Sequence, residues 1–237
     1  MKRNPSRKNL KRPFVFVNMA MTADGKIATA NRTLSAFSSA RDHEHLLELR
    51  ATADAVMTGA ATVNDSPINL GPGPVRFRRR RLTNGLAEYN VRIVVSGRGS
   101  INPDAEIFRK RFSPVIVLTT GKISEAKLKR LRTVADTVKI CGATEIDFSA
   151  ALRWLRESWG VRRLLCEGGG ELNDALFRAG LVDEINLTIC PKIVGGRTAP
   201  TIADGRGFAR LAMAKRFKLT SMRRQKGELF TVFSRDK

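Results

Sequence analysis

Three consecutive glycines stand between two glutamates in the stretch CEGGGE at residues 166–171. The run RRLLC (162–166) before them, which ends in three apolar residues, predicts a buried strand, and Leu172, Leu176 and Ala179 predict the inner face of a helix after them. Glycine inside an element costs about 0.5–1 kcal/mol relative to alanine, so these positions serve either a tight turn or the close approach of backbone N–H groups to a ligand. Free N–H groups at a helix N-terminus bind anions. Because GGG is not the spacing of a dinucleotide fingerprint, the motif alone leaves both explanations open.

The charge is strongly positive and clustered. Lysine and arginine total 43 against 22 aspartates and glutamates, which gives a net charge of +21. Basic residues concentrate in 1–12, 76–81 and 206–226. Such a field attracts anions, either phosphorylated metabolites or nucleic acid, and we interpret the basic runs as solvated surface. Only Phe77 interleaves with its arginine run, so there is little surface for base stacking, and specific nucleic-acid binding is not expected.

The length of the apolar runs, the cysteines and the histidine spacing give further expectations about the kind of protein. No apolar run approaches the ~18 residues that a membrane-spanning helix needs. Three widely spaced cysteines (Cys141, Cys166 and Cys190) with no C-x-x-C favour a reducing compartment, so we expect a cytoplasmic protein without structural zinc. We read Cys166 as a small buried hydrophobe. The histidines of HEH at 43–45 would point about 200° apart on a helix, so they share no metal, and we expect both to be exposed.

Strand and helix patterns alternate along the chain from Phe14. This alternation predicts right-handed crossovers and an α/β fold, a mostly parallel central sheet with helices on both faces. Helix starts are predicted at Ser39 and Asp147, and a helix end at Gly180. The expected strands are the mostly apolar runs 14–20, 54–58, 91–95, 115–119, 137–140, 162–166 and 185–190.

The two ends of the chain and one central stretch depart from this alternation. Residues 214–222 and 228–234 predict a C-terminal antiparallel hairpin. The Pro/Gly/Arg stretch 66–90 predicts a long loop. Residues 1–12 predict a disordered basic arm, and residues 13–237 a single domain.

Five motifs follow one another along the chain: NMAMTADGKIA (18–28), GAATV (59–63), EGGG (167–170), LVDE (181–184) and PKIVGG (191–196). Taken together and in this order, they resemble the reductase domain of riboflavin biosynthesis over about residues 13–235. That family has a dihydrofolate-reductase-like fold. The resemblance implies NADPH-dependent reduction of the ribose of a ribosylamino-pyrimidinone 5′-phosphate to a ribityl chain, by a homodimer. A reductase of the same fold acting on a pterin or another heterocycle remains an alternative.

The resemblance also assigns residues to the cofactor. Arg98 is a candidate for the NADPH 2′-phosphate, because that charge favours a nearby guanidinium. The pyrophosphate is expected at the glycine turn, and the adenosine phosphate after the third strand. The implied contacts are Ala20, Thr62, Asp65, Ser96, Gly97, Gly168, Gly169, Gly170, Glu171 and Leu172.

Three further residues are expected at the substrate. Arg50 matches a substrate-binding arginine, and a bidentate guanidinium suits a phosphate. Asn69 is an expected substrate contact in the loop after the second strand. Glu167 matches a glutamate that faces the substrate, and its carboxylate would stabilise the positive charge of an imine; a strand-end glutamate capping local N–H groups is the alternative. Asp24 borders the active site in this family, and a direct catalytic role for it stays open.

Overall fold

The computed structural model describes residues 11–31 and 38–236. Within them, nine strands form one sheet in the order β5-β4-β3-β2-β6-β1-β7-β9-β8. The strands are β1 (Phe14–Thr22), β2 (Ala55–Gly59), β3 (Val91–Val95), β4 (Val115–Thr119), β5 (Thr137–Ile140), β6 (Arg163–Cys166), β7 (Glu184–Cys190), β8 (Phe217–Gln225) and β9 (Glu228–Arg235). The helices are α1 (Ala40–Arg50), α2 (Ala60–Asp65), α3 (Val75–Thr83), α4 (Glu106–Arg109), α5 (Glu125–Val134), α6 (Phe148–Trp159) and α7 (Gly170–Arg178).

The first seven strands pair in parallel, which confirms the predicted class. One face of the sheet packs against α6 and α7, whose apolar stripes include Leu152, Leu155 and Leu176. The other face packs against α1, α2, α4 and α5, with Val63 and Leu131 among its buried residues. Because both faces are covered, the strands are nearly continuous apolar runs.

The predicted helix ends are confirmed by capping contacts. The side chain of Ser39 accepts a hydrogen bond from the backbone N–H of Asp42, and that of Asp147 accepts one from Ala150. After α7, Gly180 has a φ of +63°, the left-handed conformation that favours glycine just beyond a helix.

The predicted hairpin is confirmed, although β8 begins at Phe217 rather than at residue 214. The turn residues Lys226 and Gly227 have φ values of +48° and +83°. Two consecutive positive φ values are typical of a tight hairpin turn whose twist matches that of the strands. β9 pairs antiparallel with β7 and so closes this end of the sheet.

The stretch 66–90 is not one long loop, because α3 forms within it and carries the arginine run. Phe77 and Arg81, one turn apart, are 4% and 1% exposed. The Arg81 guanidinium donates to the backbone oxygens of Arg50, Ala53 and Ala87. The i, i+4 spacing of Phe77 and Arg81 places both side chains on one helix face. The charge of the run alone does not reveal this. The interpretation of the basic runs as solvated surface is therefore wrong for Arg81.

His45 is also buried, contrary to expectation, whereas His43 is exposed. The His45 ring contacts Phe230 of β9 edge-on, with 5.4 Å between ring centroids. Its Nδ1 lies 3.4 Å from a Glu48 carboxylate oxygen. The expectation failed because the neighbouring hairpin covers this end of α1, and no local pattern reveals that contact.

The predicted basic arm lies mostly outside the described residues. Arg12, at the end of that segment, makes two hydrogen bonds to the Asp183 carboxylate, at 2.7 and 2.8 Å. Asp183 also accepts a hydrogen bond from the backbone N–H of Val15. The start of β1 is thus joined to the segment that precedes β7.

The three cysteines are buried free thiols. Burial raises the pKa of Cys166 to about 12, which fits its predicted role as a small hydrophobe. Among residues 11–31 and 38–236, His, Cys, Asp and Glu side chains form no group suited to holding a metal ion. None of the described helices has the length and hydropathy to cross a membrane.

Candidate active site

A cavity of about 910 Å³ opens at the carboxyl ends of the parallel strands. In an open α/β sheet this edge is where ligands bind. The ends of β2, β3 and β6 form its inner wall, and the N-terminus of α7 borders it. Its other wall comes from the loop after β7. The lining includes Ile27, Ala28, Gly59–Thr62, Asp65, Val95–Gly97, Glu145, Ile146, Phe148, Gly168–Leu172, Ala175, Arg178, Ala179, Arg197–Pro200 and Asp204.

The three glycines that open α7 have three different reasons to be glycine. A Cβ at Gly168 would collide with Leu172, and one at Gly170 would lie 2.7 Å from the backbone oxygen of Thr201. Gly169 has open space around it but a φ of +52°, which side chains rarely adopt. Gly168 and Gly170 therefore allow close packing, and Gly169 sets a backbone conformation at the cavity wall, as a tight turn requires. The approach of its N–H groups to a ligand stays a prediction.

The cavity brings together most of the residues that the resemblance assigned to a cofactor. Thr62 and Asp65 come from α2, so the expected turn after the second strand is a short helix. Ser96 and Gly97 follow β3, and the glycine turn follows β6. These segments are far apart in the chain and meet because parallel strands end at the same edge of the sheet.

Two predicted substrate residues, Arg50 and Glu167, are bound to each other. Nε and Nη2 of Arg50 donate to the two Glu167 carboxylate oxygens, both at 2.6 Å. The remaining nitrogen, Nη1, donates to the backbone oxygen of Gly71 at 2.7 Å. The side chains are 12% and 11% exposed, so this charge pair is largely shielded from water. The backbone N–H of Glu167 donates to the backbone oxygen of Met57. Glu167 therefore does not use its carboxylate to cap its own N–H group.

Five of the predicted site residues are not among those lining this cavity: Ala20, Arg50, Asn69, Arg98 and Glu167. Ala20 lies in β1 opposite Thr188 of β7. Arg98 is exposed after β3. The Asn69 amide is engaged within the chain, donating to Glu106 at 3.0 Å and accepting from the backbone of Gly71 at 2.9 Å. Their assigned contacts remain predictions.

Asp24 joins two loops beside the cavity. Its carboxylate accepts hydrogen bonds from the Thr22 hydroxyl and from the backbone N–H groups of Val194 and Gly195. The Thr22 hydrogen bond, followed by that of Gly195, lowers the pKa of Asp24 to about 2. The side chain therefore stays ionised and holds the loop after β7 next to the loop after β1. These contacts are structural, and a direct catalytic role for Asp24 stays open.

Sequence reasoning missed the far wall of the cavity. Arg197 and Thr198 line it from the loop after β7, and Ile146 and Phe148 line it from the start of α6. The glycines at 195 and 196, with φ values of +67° and +87°, were the available signal that this loop turns sharply. The pairing of that loop with the start of the chain is not visible in any local pattern.

Comparison with known proteins agrees with this geometry. A family model described as the RibD C-terminal domain matches residues 13–229. The chain is 35% identical over 197 residues to a 2,5-diamino-6-ribosylamino-4(3H)-pyrimidinone 5′-phosphate reductase from Archaeoglobus fulgidus, covering 83% of this chain and 89% of the relative. It is also 35% identical over 208 residues to a protein of the same name from Methanothermobacter thermautotrophicus, with 88% and 91% covered.

The fold is similar to that of a solved structure, RibD of Acinetobacter baumannii, with a TM-score of 0.74 at 18% identity. The match covers 96% of this chain and 59% of that one, so this chain spans only part of the longer protein. The likeness confirms the expected dihydrofolate-reductase-like architecture. Because the family model matches nearly the whole length of this chain, the chain belongs to the RibD C-terminal domain family.

Proposed function

We propose that this chain is an NADPH-dependent reductase. Its substrate is 2,5-diamino-6-ribosylamino-4(3H)-pyrimidinone 5′-phosphate, whose ribose it reduces to the ribityl chain of riboflavin biosynthesis. The observation that carries this proposal is the position of the glycine turn, which lines the cavity and directly follows Glu167 of the shielded Arg50–Glu167 pair. The names of the archaeal relatives support the choice of substrate.

The residues of the cavity fit a nicotinamide dinucleotide. Its volume lies within the range of cofactor sites. The first backbone N–H groups of α7 lack helical partners, and with the open space beside Gly169 they can receive a pyrophosphate. Arg197 on the opposite wall adds positive charge. When bound, NADPH supplies the hydride; the chain supplies orientation and a site with little water.

The chain's own charged groups then act on the substrate. The Glu167 carboxylate stabilises positive charge on the imine form of the ring-opened sugar. Arg50 fixes the position of that carboxylate through two hydrogen bonds. One N–H remains on each Nη of Arg50, and these can donate to a phosphate oxygen of the substrate.

We also propose that the chain works as a homodimer, formed through the open face of β8. Leu219 and Met222 are 52% and 61% exposed there, and Leu211 and Met213 in the preceding segment are 90% and 54% exposed. A group of large apolar side chains in water favours a protein interface. Leu219→Glu with Met222→Glu should give a monomer in sedimentation, whereas Ile140→Glu, exposed at the opposite sheet edge, should not. An already monomeric wild type would contradict this proposal.

A cytoplasmic location is part of the same proposal. The three buried free thiols are compatible with a reducing compartment. Fractionation of cells that express the chain tests this directly, with recovery in the membrane or periplasmic fraction as the contrary result.

The decisive test of the activity is NADPH oxidation by the purified chain with the pyrimidine phosphate as substrate. We expect turnover to the ribityl product, and tighter binding of NADPH than of NADH at physiological salt. Oxidation with a pterin but not with the pyrimidine phosphate would instead favour the alternative substrate. No oxidation with either, despite measurable NADPH binding, would overturn the assigned reaction.

A further inference from the structure

The turn at residues 69–71, between α2 and α3, has a strained backbone. Leu70 has a φ of +57°, one of only two positive values at non-glycine residues in the described part of the chain. This conformation is uncommon for a bulky side chain, and it persists where the surroundings fix it, often at functional sites. Leu70 is also 1% exposed, so its side chain anchors the turn in the core.

Two asparagine side chains hold the peptide group that joins Leu70 to Gly71. Asn90 Nδ2 donates to the backbone oxygen of Leu70 at 2.9 Å, and Asn69 Oδ1 accepts from the N–H of Gly71 at 2.9 Å. The carbonyl and the N–H belong to one planar peptide, so the two hydrogen bonds fix its orientation from opposite sides. A Cβ at Gly71 would lie 2.7 Å from the Phe112 ring, so this position has no room for another residue.

The fixed turn directs the next backbone oxygen to Arg50. The Gly71 oxygen accepts from Nη1 of Arg50 at 2.7 Å, and the other two nitrogens of that guanidinium hold Glu167. Asn69 is itself held from the far side, because its Nδ2 donates to the Glu106 carboxylate at 3.0 Å. Hydrogen bonds and the backbone of the turn thus connect Glu106, through Asn69, to the Arg50–Glu167 pair.

We propose that Asn69 is a positioning residue of the reaction. It fixes the Gly71 oxygen, this oxygen fixes Arg50, and Arg50 fixes the carboxylate that stabilises charge on the substrate. Asn69 therefore acts through Glu167 and does not touch the substrate, unlike the contact that the resemblance implies. Its amide oxygen and nitrogen both have partners within the chain. This inference rests on the proposed function and adds to it a residue that sets the geometry of the site.

The test is a double-substitution cycle of Asn69→Ala and Glu167→Gln, measured at a temperature where all four proteins are folded. In the otherwise wild-type chain, Asn69→Ala should lower kcat about tenfold, because a displaced carboxylate stabilises the reacting centre less well. In the Glu167→Gln chain, the same substitution should lower kcat less than about twofold, since the charge that it positions is already gone. We choose kcat because a contact of Arg50 with the substrate phosphate would affect KM.

A rescue variant tests the hydrogen bonds themselves. Asn69→Asp combined with Glu106→Gln exchanges donor and acceptor between these two side chains and keeps an acceptor for the N–H of Gly71. Its kcat should lie within about twofold of wild type. Asn69→Asp alone should be as slow as Asn69→Ala, because it places two carboxylates together.

The matched control is Thr231→Val, which removes a buried side-chain hydrogen bond far from this turn. The Thr231 hydroxyl donates to the backbone oxygen of Leu187 in the neighbouring strand at 2.8 Å. Thr231→Val should lower the melting temperature and leave kcat unchanged. Loss of a buried hydrogen bond is thereby separated from loss of the Asn69 contacts.

Three results would overturn the inference. An equal loss of kcat from Asn69→Ala in both backgrounds would indicate direct contact with the substrate. A lower melting temperature with unchanged kcat would indicate a structural role only, and the third result is a folded rescue variant as slow as Asn69→Ala.

Wild-type turnover tests the proposed function separately. If the wild type is inactive, the same cycle is measured by unfolding in denaturant, which does not depend on activity. The two substitutions should then be non-additive, because both residues belong to one hydrogen-bond network. Additive effects on the free energy of unfolding would overturn the link between Asn69 and Glu167.

Discussion

Arg50 and Glu167 are separated by 117 positions in the chain and joined by two hydrogen bonds. Removing either partner of such a shielded pair leaves a charge that has lost its water and its counter-charge. A change at either residue is therefore expected to affect both the stability of the fold and the turnover of substrate. A test of the pair has to measure each of these separately.

Glu167→Gln keeps the shape of the side chain and removes its charge. We expect turnover to fall by about 10²-fold, because an electrostatic stabiliser of the reacting centre is lost. NADPH affinity should change little, since Glu167 precedes the glycine turn and is not among the cavity-lining residues. Steady-state kinetics and cofactor titration on one preparation give both values. Equal losses in turnover and in NADPH affinity would contradict a role at the substrate.

His45 predicts a pH dependence of stability. Burial lowers its pKa in the folded state, against the opposing effects of Glu48 and Asp42 on the same helix; Arg223 of β8 lowers it further. The unfolded chain therefore binds the proton more readily, and stability that is present above about pH 6.5 is lost as the pH falls below that value. His45→Gln should show a smaller drop in melting temperature between pH 7 and pH 5 than wild type. His43→Gln, at an exposed position, is the control, and identical slopes in all three proteins would contradict the assignment.

At the scale of elements, the buried Arg81 joins α3 to the domain beside the packed ring of Phe77. Arg81→Met keeps length and apolar volume but leaves the backbone oxygens of Arg50, Ala53 and Ala87 without that donor. We expect unfolding to become easier by about 2–4 kcal/mol, because unsatisfied buried groups each cost 1–3 kcal/mol. Arg80→Met, one position earlier and exposed, should change stability by less than about 0.5 kcal/mol. Similar melting temperatures for both variants would show that the three contacts contribute little.

Two variants of the glycine turn test two different effects, one on stability and one on NADPH binding. Gly170→Ala should mainly lower stability, because its Cβ would meet the backbone of Thr201 and Asp204. A Cβ at Gly169 meets no neighbour, so Gly169→Val costs backbone strain and obstructs the open space beside the turn. It should weaken NADPH binding more than tenfold while the chain still folds. A folded Gly169→Val protein with unchanged NADPH affinity would mean that this position serves only the turn.

The elements were predictable where the signal is local. Strand runs, helix caps and the hairpin turn depend on neighbouring residues, and the structure confirms them. α3 was missed because its arginines suggest a solvated surface until the burial of one side chain is known. The Arg50–Glu167 contact was not predicted, although both residues were singled out, because pairing across 117 positions depends on the register of the whole sheet.

At the scale of the molecule, the N-terminal segment offers a test of where the folded domain begins. Removal of residues 1–11 should leave the melting temperature and turnover almost unchanged, since no apolar pattern precedes Phe14. Arg12→Ala in the full chain should instead cost about 1–2 kcal/mol of stability, because the half-buried pair with Asp183 is lost. A truncated chain that melts far below wild type would show that the basic arm packs on the domain.

The central position of β1 has a consequence for the synthesis of this protein. β1 leaves the ribosome before the other described strands and lies between β6 and β7, so its pairing partners begin only at Arg163 and Glu184. Contacts between such distant segments form slowly. Until most of the chain has been made, the apolar run FVFVNMAMT has neither neighbour and is available to other unpaired strands. We therefore expect nascent chains to depend on chaperones, and fragments that stop before residue 184 to aggregate rather than fold.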